Sequence, residues 1–344
     1  MSAPHVTPSI AAPASGARTH ALFVLGMLAA LALGSLTIAL ATGSVDIDVA
    51  TLLRALAGDT SDSRAAIVRE LRLPRALSGF AVGGLLAVAG ALMQVLLRNP
   101  LADPYVLGIS GGAAVGALAA LFAGAAVLVM PAAFAGAFAS TLIVFGLARF
   151  GGDRLPWSSM RLLLTGVVIA AGWGAVIALL LTLAPDAQLR GMLFWLLGDL
   201  SAAPPPGPAL AMLVVVLAIS LAFARDMNVL SRGIDAASAL GVAVPRTTLL
   251  LHATAALAAA AAVTTAGTVG FVGLIVPHAL RLFLGNDQRI LVPASALAGG
   301  ALLVLADTLA RSVVAPAQLP VGVVTALIGV PAFLYLLARS GVRE

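Results

Sequence analysis

Few side chains in this sequence could do chemistry. Asp307 and Arg311 stand one helical turn apart near the end of an apolar stretch, where a local i,i+4 ion pair is the simplest expectation. His252 and His278 each sit in an apolar run with no Asp or Glu at ligand spacing, so packing histidines are expected rather than metal ligands. The chain has no cysteine, which excludes disulfides, thiolate metal sites and a cysteine nucleophile. All 19 basic residues are arginine, and without lysine a phosphate-gripping GxxxxGK(S/T) loop cannot exist.

Gly108-Ile-Ser-Gly111 matches the GxSG serine motif of rhomboid-type intramembrane proteases, and a histidine on another helix could complete a dyad. Four residues in a glycine-rich chain are a weak signal, and the chain has more candidate spans than that family. A more informative stretch is Ala76 to Leu97, an apolar run bracketed by Arg72-Leu-Pro-Arg75 and Arg98-Asn-Pro-Leu-Ala-Asp-Pro104. Its length suits one bilayer crossing, so polar signatures would face both sides of a membrane.

The elements that must position these residues follow from composition. Hydrophobic residues make up 61% of 344 and charged residues 10%, which predicts a polytopic, all-α membrane protein. Apolar windows fall near 21–41, 76–97, 106–129, 131–149, 161–184, 209–224, 248–269, 271–285, 290–310 and 319–338, predicting ten transmembrane helices in one domain over 21–340. The eighth is short and broken by Gly270, Gly273 and Pro277, as a partial helix shielded by protein would be. Residues 1–20, rich in Ala, Pro, Ser and Thr, read as a disordered cytoplasmic tail before an uncleaved first helix. Gly79/Gly83 and Gly108/Gly112/Gly116, at four-residue spacing, predict close helix packing.

The arginines set the orientation. With both termini cytoplasmic, the inside carries Arg18, Arg98, Arg149, Arg154, Arg161, Arg225, Arg232, Arg246, Arg281, Arg289, Arg339 and Arg343. The positive-inside rule favours that choice. Outside remain Arg190, Arg311 and five arginines crowded into a periplasmic loop over 43–75: Arg54, Arg64, Arg69, Arg72 and Arg75. That loop is an anomaly under the rule. A second unusual segment is the cytoplasmic loop over 225–247, polar at its start, helix-forming from Ile234 to Leu240 and closed by Gly241 and Pro245. Ile234, Ala237 and Leu240 fall along one side of that short helix, a face suited to docking a soluble partner.

Taken together, these residues resemble the permease subunits of the ABC importers for iron-siderophores, heme and vitamin B12, the FecCD family. The matching pieces are Arg72-Leu-Pro-Arg75, Gly90-Ala-Leu-Met-Gln94, Arg98 to Pro104 leading into Leu107-Gly-Ile-Ser-Gly-Gly112, Ala239-Leu-Gly-Val242, Gly270 to His278, Leu305 to Arg311, and Leu319 to Gly329. They run in order over nearly the whole chain. The resemblance implies type II ABC importer architecture: a homodimer with the conduit between subunits, two cytoplasmic ATPase subunits and a periplasmic binding protein. No cofactor is then bound by this chain, ATP sits on the partner, and nucleic acid plays no part.

By the same resemblance, Arg72, Arg75 and Arg311 match positions that pair with acidic residues of the binding protein, which would account for arginines kept outside. Ser231, Gly233, Ile234, Asp235, Ala237, Leu240, Gly241 and Val242 would couple to the ATPase. Asn99, Leu101, Ser158, Ser159 and Met160 fall where the family narrows its conduit at the cytoplasmic end, although 151–160 is not a close match. The expected activity is ATP-driven import of a metal chelate into the cytoplasm across the bacterial inner membrane, the cargo being a ferric siderophore or cobalamin in preference to heme. The rival from another class is a secondary transporter without ATPase. Its buried carboxylate or histidine relay is hard to find here.

Overall fold

The computed structural model describes residues 15–43, 45, 47–59, 62–149, 159–201 and 204–340, with backbone alone at 15–18, 148–149, 159–160 and 339–340. Fifteen α-helices are described: α1 Ser15–Ala41, α2 Val49–Leu56, α3 Ser63–Ala66, α4 Leu73–Leu96, α5 Ile109–Phe122, α6 Val129–Arg149, α7 Ser159–Leu183 and α8 Asp186–Leu196. They continue with α9 Gly207–Ala222, α10 Ala224–Leu230, α11 Ile234–Ala239, α12 Val244–Ala266, α13 Val272–Leu284, α14 Gln288–Ser312 and α15 Val321–Ser340. Each predicted apolar window holds a helix. Among the described residues, seven helical stretches are long and apolar enough to cross a membrane, and α9 with α10, bent by 59°, makes an eighth if taken as one span. The helices α5 and α13 are apolar but short.

The bundle is organised around α4. Its residues from Ala81 to Leu96 are all buried, and α14, α12, α13 and α9 pack on it. Small residues make this possible. A Cβ on Gly83 would lie 2.2 Å from the carbonyl oxygen of Gly299 on α14, and one on Gly90 would lie 1.8 Å from that of Gly273 on α13. In a bilayer, where apolar burial gives little drive between helices, such close backbone approach supplies the dispersion contacts that hold them. The same device joins α5 to α6, where Gly112 meets Gly136 and Gly116 meets Ala132. Of the five glycines expected to pack closely, Gly83, Gly112 and Gly116 meet a facing backbone, whereas Gly79 makes only ordinary contacts and Gly108, left-handed, stands just before α5; Gly90 uses the same device without having been named.

Two stretches differ from expectation. The segment 43–75 is not a simple loop: it holds α2, and from Ser63 the helix α3 and a π-helical stretch Ile67–Arg72 lead without a break into α4, so Arg72 and Arg75 sit on helix. Pro74 falls just past the junction of the π-helical stretch with α4, and the helix continues through it although its ring nitrogen donates no hydrogen bond. Residues 186–196, expected as connection, form α8, which opens directly after Pro185. The predicted tail lies outside the described residues up to residue 14, and its last part, from Ser15, is the first turn of α1.

Candidate functional site

At the end of the bundle where α1, α4 and α14 meet, guanidinium groups gather around one carboxylate. Arg75 donates from Nε to Asp307 Oδ2 at 2.9 Å and from Nη2 to Oδ1 at 2.8 Å, a bidentate pair that is largely buried. Arg75 Nη1 also reaches Gln318 Oε1 at 3.0 Å. The expected i,i+4 partner of Asp307, Arg311, approaches only to 3.9 Å and donates instead to the backbone carbonyl of Ala39. Fork-to-carboxylate geometry explains the choice: Arg75 can satisfy both oxygens at once from a facing helix.

Arg72 has a different occupation. It is 7% exposed and donates to the carbonyls of Leu40 (2.8 Å), Ala41 (2.9 Å) and Val45 (2.7 Å). These include the last carbonyls of α1, which lack intrahelical donors and carry the negative end of the helix dipole. Arg72, Arg75 and Arg311 nevertheless line one cavity of about 550 Å3, together with Glu70 and Gln318. Beside it lies a larger cavity of about 980 Å3, walled partly by α8, and the two share Ser201, Pro316 and Gln318.

The opposite end of α14 is about 30 Å away at 1.5 Å per residue between Asp287 and Asp307. There Asp287 caps α14 by accepting from the Arg289 N–H at 3.1 Å, and it also accepts from Asn228 Nδ2 at 2.8 Å. Asn228 Oδ1 takes the Gln288 N–H at 2.8 Å, and Asn286 Nδ2 donates to Ser231 Oγ at 3.1 Å. This network ties α10 and the turn before α11 to the start of α14. Gly233 (φ 125°) opens α11 and Gly241 (φ 81°) follows its end, both in backbone conformations that favour glycine.

The expected side of α11 is divided. Ala237 is 0% exposed and Ile234 packs on the core, whereas Leu240 is 62% exposed. Thus Ile234 and Ala237 seat the helix on its own protein. Asp235, Leu240 and Gly241 are exposed, and Ser231, Gly233 and Val242 partly so.

Of the residues expected at the narrow mouth, Asn99 accepts the Leu101 N–H through Oδ1 at 2.9 Å, and Leu101 is exposed. Ser158 lies outside the described residues, and for Ser159 and Met160 only the backbone opening α7 is described. In the adjoining turn, Asp103 accepts the Tyr105 N–H at 2.7 Å, and loss of hydration pushes its carboxyl up to about 6.

His252 bonds through Nδ1 to the Thr248 carbonyl at 2.8 Å and meets Phe145 edge-on, and His278 packs against Phe333. Ser110 sits in the first turn of α5, behind Gly108 in its left-handed conformation. Arg190, placed outside by the sequence reading but given no role, lines the larger cavity from α8 together with Phe194 and Trp195.

A multi-pass helical bundle with polar stations at both ends and a wide cavity at one defines a membrane permease. The chain belongs to the FecCD transport family, whose model matches residues 27–339. It is 44% identical over 283 residues to the cobalamin import system permease protein BtuC of Halobacterium salinarum, covering 80% of this chain and 74% of that one. It is 41% identical over 327 residues to the hemin transport system permease protein HmuU of Yersinia pestis, covering 92% and 95%. A solved structure described as an inward-facing conformation of a metal-chelate type ABC transporter superposes with a TM-score of 0.81 at 27% identity, over 92% of this chain and 99% of that one. The chain is accordingly a permease subunit of an ABC importer, a transport component whose ATPase is a separate subunit.

Proposed function

We infer that two copies of this chain form the conduit of an ATP-driven importer that carries a metal chelate, a ferric siderophore or cobalamin before heme, across the bacterial inner membrane. Each copy crosses ten times with both termini cytoplasmic. A binding protein delivers cargo on the periplasmic side at the arginine cluster, and two ATPase subunits bind the cytoplasmic side. The relatives named for cobalamin and hemin import support the cargo class.

The single observation that carries this reading is the two-ended use of α14. One 25-residue helix bears Asp307 and Arg311 in the arginine cluster at its end, and Asp287 and Gln288, bonded to Asn228, at its start. In the docking role, Arg75 and Arg311 present positive charge beside the cavity, and Arg72 holds α1 beneath them. Ser231, Gly233, Asp235, Leu240, Gly241 and Val242 form the ATPase contact, with Ile234 and Ala237 as its anchor. Asn99 and Leu101, with 158–160, narrow the cytoplasmic mouth.

The test is binding-protein-stimulated ATP hydrolysis in proteoliposomes that hold the permease with its ATPase. Arg75→Glu with Arg311→Glu removes stimulation and leaves basal hydrolysis, and Leu240→Glu releases the ATPase. Stimulation undiminished in both variants overturns the assignment. The rival without an ATPase predicts no co-purifying ATPase at all.

A further inference from the structure

The circumference of α2 is divided three ways. At about 100° per residue, Thr51, Leu52 and Ala55 fall on one side and are buried, with Leu52 and Ala55 packed against Ala39 and Leu40 of α1. Val49, Leu53 and Leu56 follow as a second sector, at i, i+4 and i+7, and are 72%, 62% and 52% exposed. Ala50 and Arg54 complete the circle. Both are exposed, and Arg54 pairs with Asp62 at 3.7 Å. The centres of the three sectors are roughly 120° apart.

The span of α1 sets the depth at which this helix lies. Its apolar part, Thr19–Ala41, has 23 residues and is about 34 Å long against a hydrocarbon core of about 30 Å, so Ala39 and Leu40 stand at one edge of that core. Leu52 and Ala55 pack against them there, in one apolar cluster with Ala76, the residue after Arg75. Ile38, in the last turn of α1, is exposed, so the lipid-facing surface of the span reaches the level of α2. A helix at that level meets protein, lipid and water at once, and a stripe of three exposed aliphatic side chains suits the acyl edge of the bilayer better than water.

We propose that α2 is an interfacial helix, with the stripe of Val49, Leu53 and Leu56 set among phospholipid at the membrane face where α1 ends and the Arg54 side in water. Lipid rather than protein occupies the stripe, because it holds no polar or charged side chain with which to meet a partner that docks by charge. The contact also steadies the segment that carries Arg72 and Arg75: Arg69 donates from Nη1 to the Ala55 carbonyl at 3.4 Å, and Val68 packs in the same cluster as Leu52 and Ala55. The proposal goes beyond the importer reading and depends on neither its cargo nor its ATPase.

The chain has no cysteine, so nitroxide labels on single introduced cysteines report on one sector at a time. The permease is placed in phospholipid nanodiscs as Leu53→Cys, Leu56→Cys and Ala50→Cys, and spin relaxation by oxygen, which concentrates in lipid, is compared with relaxation by a water-soluble nickel chelate. The ratio of oxygen to nickel accessibility is expected to be several-fold higher at positions 53 and 56 than at position 50. Val49→Cys gives an independent reading where a label at 53 or 56 disturbs the fold. Equal ratios in the two sectors overturn the proposal. So does a stripe open to nickel that becomes shielded only when the binding protein is added, the sign of a protein partner. Dipolar broadening between like labels, the sign of a second copy at the stripe, overturns it as well. The assay needs no ATPase, so failure of the importer reading shows separately, as absence of stimulated hydrolysis.

Discussion

Arg75 and Asp307, 232 positions apart, close a bidentate ion pair that fastens the first turn of α4 to the last turns of α14. Their side chains are 16% and 7% exposed, so neither charge has water as a ready substitute for the other.

Removing the carboxylate should therefore cost more than removing the guanidinium. Asp307→Ala leaves Arg75 and Arg311 facing each other, and a destabilisation of about 3–5 kcal/mol is expected. Arg75→Ala leaves Asp307 with Arg311 nearby and is expected to cost less. Thermal unfolding of the two single variants and the double variant in detergent measures the coupling, which should exceed about 0.5 kcal/mol. Additive losses would show that the pair contributes nothing of its own.

Arg72 serves the end of α1 through three backbone carbonyls. Arg72→Ala should loosen that end without altering the Arg75–Asp307 pair. The chain has no native cysteine, so a single Thr42→Cys reports directly. Maleimide labelling at that position is expected to be several-fold faster in the Arg72→Ala background. Equal rates would mean that α1 needs no such clamp.

Gly90 and Gly172 predict opposite outcomes for the same substitution. Gly90→Ala drives a methyl group into the Gly273 carbonyl and must push α13 off α4, at a cost of about 1–3 kcal/mol or more. Gly172, within α7, has nothing within 4 Å of an added Cβ, and alanine there should be neutral or stabilise by up to about 1 kcal/mol. Melting temperatures of the two purified variants decide between packing and conformational explanations.

Asp103 predicts a pH dependence. Its folded pKa, about 6, lies above the ordinary 3.8, so the folded state holds the proton more tightly than the unfolded one. Stability is then greatest below about pH 4, falls as pH rises towards 6, and stays at the lower value above that, a loss of order 1–3 kcal/mol. Asp103→Asn keeps an acceptor for the Tyr105 N–H and carries no charge. The melting temperature of this variant should decline less between pH 4 and 7 than that of the wild type. Parallel curves would remove Asp103 as the cause.

Much of the helical order was legible because hydropathy is a local sum: every apolar window contains a helix, and Gly241 closes the short helix beginning at Ile234 as its residue type demands. The segment leading into Arg72 was harder to read. Its arginines, counted with Arg75, resemble a loop, although the residues also suit helix, and it is the apolar cluster of Leu52, Ala55, Ala65 and Val68 with Ala39 and Leu40 of α1 that packs them as helices. Ala237 was placed with Leu240 by periodicity, yet periodicity cannot say which flank of a six-residue helix faces its own bundle. The helix α8 escaped notice because eleven residues of mixed polarity carry no span signal.

By itself, the sequence determined membrane residence, the succession of apolar helices, the glycines that let them touch and the family to which the chain belongs, since these depend on residue type and short-range spacing. The tertiary structure alone decided that Asp307 pairs with Arg75 rather than Arg311, that Arg72 is spent on the carbonyls of α1, and that Arg190 opens onto a shared cavity. Each of those outcomes depends on groups brought together from distant positions, where geometry and competition for hydrogen bonds select one partner among several of equal charge.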